Sequence, residues 1–138
     1  MTPDLLALVL DTLLPGDGPW PPAHDVDLAA AVRADRDGDP DGRIDAVLAA
    51  LPPGFATADA AGREAMLRAI EAAHAADFER LVTLAYTAYY IAPRVRTVVE
   101  RETGYANRPP QPLGYELEPF DERLLETQKK RAPFWRPA

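Results

Sequence analysis

An all-α, single-domain bundle with proline-rich edges is the fold this sequence predicts, and three observations predict it. Apolar side chains recur at helical spacing along most of the chain. No segment alternates as a half-buried strand would. Fifteen prolines stand among the 138 residues, and six of them fall where the helical pattern stops, in "PGDG", "PWPPA" and "PPG", so the connections are ordered rather than long and flexible. A chain of this length buries roughly two-thirds of its unfolded surface if it folds alone.

The first helix starts with Thr2 as N-cap, Pro3 at the first helical position and Asp4 in the first turn. Leu5, Leu6, Val9, Leu10, Leu13 and Leu14 make its apolar face, and Trp20 pins the rigid loop that follows. Two short helices come next, over about 27–34 and 43–51. Thr57 caps an alanine-rich helix running to about His74, with Met66, Leu67, Ile70 and Ala73 facing inward. A helix over about 76–91 carries Phe78, Leu81, Val82, Ala85, Tyr86 and Tyr89 on one face and Leu84, Ala88 and Ile91 on another, which predicts burial on most sides. Pro93 breaks it, and Val95, Val98 and Val99 continue an apolar stripe to Gly104, a natural C-terminal cap. The last helix begins at Asp121, with Phe120 placed to staple against Leu125 and with Lys129, Lys130 and Arg131 at its far end.

Charge and missing residue types exclude whole classes of function. The net charge is −7, and the only basic cluster, Lys129 to Arg131, complements a helix dipole, so the basic stripe that a polyanion requires is missing. Cysteine and serine are both absent, which removes thiolate chemistry, disulfides and Ser-His-Asp nucleophiles. The two lysines look like solvated helix-end charges rather than Schiff-base formers. The start of the chain has neither a basic leader nor a twin arginine, so the protein is expected to be cytoplasmic as encoded, and periplasmic only if a partner carries an export signal. The run 81–93 is too short to span a bilayer, and membrane insertion is not expected.

Several constellations could carry chemistry, and most have a plainer explanation. "DGDPDGRIDAVL" sets Asp37, Asp39, Asp41 and Asp45 at calcium-loop positions 1, 3, 5 and 9, but Leu48 replaces the bidentate glutamate at position 12, so the loop reads as a solvated acidic turn and at best a weak calcium site. His24 and His74 lack a second histidine at metal spacing, although folding could bring Asp25 or Asp27 near either one. Glu100 and Glu102 stand two apart on a helix and point in different directions. Tyr86, Tyr89 and Tyr90 read as core. The stretch "RPPQPLGYELEPF" is different: its prolines remove backbone donors and hold it extended, while Leu113, Tyr115 and Leu117 are too apolar for a linker. It reads as a strap, over about 105–120, that docks on this chain's own helices or on a partner.

Taken in order, "DTLLPGDGPWPPA", "FERLVTLAYTAYYIAPRV", "ETGYANRPPQPLGYELEPFDERLL" and "RAPFW" resemble the gluconate 2-dehydrogenase subunit 3 family. These are small helical subunits that accompany flavin-dependent dehydrogenases of the glucose-methanol-choline class. The resemblance covers both ends of the chain and is poor from about Asp35 to Ala76. Matching positions are Leu14, Pro15, Gly16, Trp20 and Pro21 in the first loop, and Tyr86, Tyr89, Tyr90 and Pro93 in and after the long helix. Gly104, Tyr105, Pro109, Pro110, Gln111, Pro112, Leu113, Gly114 and Tyr115 match beyond it. The chain departs from better-known members in lacking their twin-arginine start and glycine-rich Tyr-Gly-Gly-type end.

The resemblance implies a non-catalytic subunit that binds and stabilises or matures the catalytic subunit of a sugar, sugar-acid or glycoside dehydrogenase. No catalytic residue and no cofactor is expected on this chain, and FAD is expected on the large partner subunit. The expected partner interface comprises Trp20, Pro109, Pro110, Gln111, Pro112, Leu113, Tyr115 and Trp135. A stand-alone helical module binding a small ligand or weak calcium is the alternative.

Overall fold

A computed structural model of the chain describes residues 4–35, 37–105 and 119–131. Thr2, Pro3, the strap residues 106–118 and Trp135 lie outside the described residues. The fold is all-α: α1 (Leu5–Leu13), α2 (Leu28–Ala34), α3 (Arg43–Ala49), α4 (Ala60–Ala73), α5 (Ala75–Ile91), α6 (Pro93–Thr103) and α7 (Glu126–Lys129), with 3₁₀ turns at Ala23–Val26, Phe55–Thr57 and Glu122–Leu125. Among the described residues there is no strand, and no helix is long and apolar enough to cross a membrane. Contacts divide the chain into two units, residues 1–107 and 108–138.

In the first unit α5 is the central helix. It packs against α2, α3, α4 and α6, while α1 packs against α2 and α4. Leu6, Val9 and Leu10 of α1, Leu28 and Val32 of α2, Val47 of α3 and Leu81 of α5 are all nearly inaccessible and share one core with Phe55 and Val95. Each such side chain contributes about 1.5–3 kcal/mol relative to an exposed one, before chain entropy is set against it.

Carboxylates, not threonines, start two of these helices. Asp4 is the cap of α1: it accepts the Ala7 N–H at 3.1 Å, and Arg33 of α2 donates to it at 2.9 Å. The Arg33 guanidinium holds the Asp4 carboxyl below its ordinary range. Asp59, in place of Thr57, caps α4 by accepting the Gly62 N–H at 2.8 Å. Thr57 instead ends the preceding 3₁₀ turn and donates to the Gly54 carbonyl at 3.2 Å. Leu67 and Ile70 face inward from α4 and Met66 packs at the edge of the core, but Ala73, the last residue of the helix, is exposed.

The α5–α6 junction follows the sequence closely. Ala92 is extended, Pro93 is the first residue of α6, and Gly104 closes that helix with its N–H on the Glu100 carbonyl at 2.8 Å. Threonines along both helices donate back into their own helix. Thr83 bonds the Glu79 carbonyl at 2.9 Å, Thr87 the Thr83 carbonyl at 2.8 Å, Thr97 the Pro93 carbonyl at 3.0 Å and Thr103 the Val99 carbonyl at 2.7 Å.

In the second unit Asp121 caps a 3₁₀ turn, accepting the Arg123 N–H at 3.0 Å, and α7 follows it directly. Arg123 also pairs with the Asp121 carboxylate, which lowers that carboxyl's pKa. Phe120 is 64% exposed, so it does not form the buried staple that its spacing from Leu125 predicts.

Candidate functional site: an exposed aromatic groove

The loop after α1 is built to hold one shape. Leu14 caps α1 with its N–H on the Leu10 carbonyl at 2.8 Å, and its own carbonyl accepts the Ala23 N–H at 3.0 Å, which closes the loop at its base. Inside that ring Asp17 and Trp20 exchange two backbone hydrogen bonds, at 3.1 and 2.9 Å. Gly16 makes the turn possible: its φ is +82°, and a Cβ there would lie 2.8 Å from the backbone nitrogen of Pro22.

Side chains from three helices then clamp the loop. The Tyr89 hydroxyl of α5 donates to the Pro21 carbonyl at 2.7 Å in a buried contact. Burial, and secondarily the neighbouring Tyr90, pushes the Tyr89 phenol above its ordinary pKa. From α1, Asp11 accepts the His24 backbone N–H at 2.9 Å and lies 3.0 Å from its Nδ1. From α6, Arg94 donates to the Asp25 carbonyl at 3.0 Å and to its carboxylate at 3.2 Å.

The outcome on the outside is a groove of about 340 Å³ lined by Leu13, Leu14, Pro15, Gly16, Asp17, Trp20, Tyr86, Tyr89 and Tyr90. Tyr90 is its hub. Its ring stacks on Tyr86 at 6.2 Å and 27°, meets Trp20 edge-on at 6.5 Å and 73°, and meets Tyr89 edge-on at 5.5 Å and 87°. Such pairs add about 0.5–1.5 kcal/mol beyond area burial, so the rings hold one another in place. Of the three tyrosines read as core from the sequence, only Tyr89 is buried, at 4% exposure; Tyr86 and Tyr90 are each 46% exposed. Residues four apart share a helix face, and this face turns away from the one carrying Phe78, Leu81 and Ala85.

The remaining candidates are less organised. Asp39 commits both carboxylate oxygens to the start of α3, accepting the Arg43 N–H at 2.9 Å and the Ile44 N–H at 3.0 Å, and Asp41 faces Arg43 at 3.7 Å. Among the described residues no three His, Cys, Asp or Glu side chains converge as a metal site would require. Asp25 does come within 3.5 Å of His24 Nε2, as the neighbouring acids suggested, but the imidazole serves the loop clamp. Glu102 pairs with Arg101 at 2.9 Å and leaves Glu100 exposed.

The structure brings Trp20 together with Tyr86, Tyr89 and Tyr90, a meeting the sequence pattern gave no means to foresee. Its one signal was Trp20 in a proline-bounded loop. Tyr89 with Pro21, Asp11 with His24 and Arg94 with Asp25 were missed as pairs, because each joins separate elements that share no sequence pattern. Compared with protein families, with curated proteins and with solved structures, the chain gives no match.

Proposed function

We propose that this chain is a non-catalytic accessory subunit that binds, and stabilises or matures, the flavin-dependent catalytic subunit of a sugar, sugar-acid or glycoside dehydrogenase. One observation supports the reading most. The resembling motifs "LLPGDGPWP" and "AYTAYY" are some 65 residues apart, yet their side chains meet in a single exposed aromatic surface. Partly exposed tryptophan and tyrosine rings on a rigid frame are the side chains that most often carry binding energy at protein interfaces. No step of chemistry is assigned to any residue. The partner supplies FAD and the active site, and the compartment follows the partner.

Co-expression with a flavoprotein encoded beside this chain, followed by purification through a tag on this chain, tests the reading. Flavin absorbance and dehydrogenase activity are expected in the co-purified complex and not in the chain alone. Stoichiometric flavin on the isolated chain, or failure to capture the flavoprotein, would sink it. Within the complex, Leu113→Ala with Tyr115→Ala is expected to weaken capture by about 30-fold, the equivalent of about 2 kcal/mol for buried anchors. Melting of this subunit should stay nearly unchanged. A large melting loss with intact capture would withdraw the interface role of these two residues.

A small-ligand module is favoured by the groove volume alone, which falls at the low end of ligand pockets. It would replace the first reading if a sugar or aromatic ligand raised the melting temperature of the isolated chain while capture failed.

A further inference from the structure

The groove carries donors that nothing in the fold uses. The Trp20 indole can only donate, and neither it nor the hydroxyls of Tyr86 and Tyr90 have a hydrogen-bond partner among the described residues. Asp17 is the single charged side chain in the lining; it is exposed, and its carboxylate has no partner among the described residues. An ordinary flexible peptide laid here would have to be ordered as it binds. A proline-rich segment brings few N–H groups, keeps its carbonyls solvated and free to accept, and is extended before it binds, so it loses little entropy on docking. Aromatic slots are the surfaces on which such polyproline II segments settle.

We propose that this groove takes an extended, proline-rich segment of the partner subunit, with a basic residue of that segment against Asp17. The ring cluster supplies the slots and the donors, and Asp17 fixes the direction of the segment, because a lone carboxylate at one place in an otherwise uncharged groove distinguishes the two ends of a ligand. The source of the segment rests on the accessory-subunit reading above; the chemistry of the groove does not.

A fluorescein-labelled peptide of one arginine followed by six prolines, titrated into the full chain and followed by anisotropy, tests both parts. Saturable binding is expected, with a flexible arginine–glycine–serine peptide of equal length failing to bind. Trp20→Ala should weaken binding by at least about 10-fold. Tyr90→Phe, which keeps the ring and removes one donor, should weaken it by about 3-fold with unchanged circular dichroism. Asp17→Asn should cost a similar factor for the arginine peptide and nothing for the same peptide with glutamine in place of arginine. Equal binding of the flexible peptide, insensitivity to Trp20→Ala, or no binding at millimolar peptide would overturn the proposal. Binding that appears only after Pro109, Pro110 and Pro112 are changed to alanine would assign the groove to this chain's own segment and withdraw the partner. If the peptide binds as described while the tagged chain captures no flavoprotein, the proline-binding groove stands and its assignment to that enzyme falls.

Discussion

Two loops of this protein draw on the same helix-breaking residue types and have opposite designs. The loop over 14–22 has two glycines, four prolines and one aspartate, the loop over 35–42 has two glycines, one proline and four aspartates, and both join short helices. The second is held by its neighbours in sequence: Asp35 accepts the Gly38 N–H at 2.9 Å, and Asp39 takes the two N–H groups that open α3. It also touches α5: Arg43 at its edge lies 3.8 Å from Asp77, and Gly38 packs so closely that a Cβ there would lie 2.5 Å from the Leu84 side chain. The first loop and the turn behind it are held from far away, by Tyr89 and Arg94 across 68 and 69 residues. A locally held loop only has to end one helix and begin another. A loop held by three helices becomes part of the body, and its outward side chains acquire fixed positions.

The largest expected effect separates the two loops at their glycines. Gly16→Ala should destabilise the protein by about 2–4 kcal/mol, since the new Cβ meets the Pro22 backbone as well as requiring a positive φ. Gly42→Ala, at φ +67° with open space around it, should cost about 1 kcal/mol. Urea denaturation of the two variants measures the difference, and equal losses would mean that the 14–22 loop is no more constrained than the other.

Tyr89→Phe comes next. It leaves the buried Pro21 carbonyl without its donor and should cost about 1–2 kcal/mol, and a shift in Trp20 fluorescence should report the loosened loop. An unchanged midpoint would show that aromatic packing alone holds the loop down. The smallest effect belongs to the acidic turn. Asp39→Ala removes the acceptor for two N–H groups of α3 and should cost about 1 kcal/mol. Calcium should alter the melting of neither the variant nor the parent chain below about millimolar concentration, because the position-12 ligand is Leu48.

The helices were legible in the sequence because their signals are local. Pro93 at the start of α6, Gly104 at its end and the leucine face of α1 each declare themselves within a few residues. The starts of α1 and α4 were misread where two capping residues stood close together, and in both the carboxylate, a stronger acceptor than a hydroxyl, took the N–H. The site was legible only in pieces. Spacing put three tyrosines on α5 and suggested that all three were core, whereas which of them faces inward depends on where the 14–22 loop crosses the helix. The pairing of Tyr89 with Pro21 settles it, and no pattern within either segment encodes that pairing.

The threonines of α5 and α6 change what the surface of these helices presents to water. Each of Thr83, Thr87, Thr97 and Thr103 turns its hydroxyl into the carbonyl one turn back. Hydropathy scales count such residues as polar, yet a hydroxyl already bonded within its own helix asks little of the solvent, and the methyl group is the part left to meet it. Another surface could displace the water over Thr83 and Thr87 without stranding a donor. The stretch "TLAYTAYY" is therefore more oil-like in the folded protein than its letters suggest.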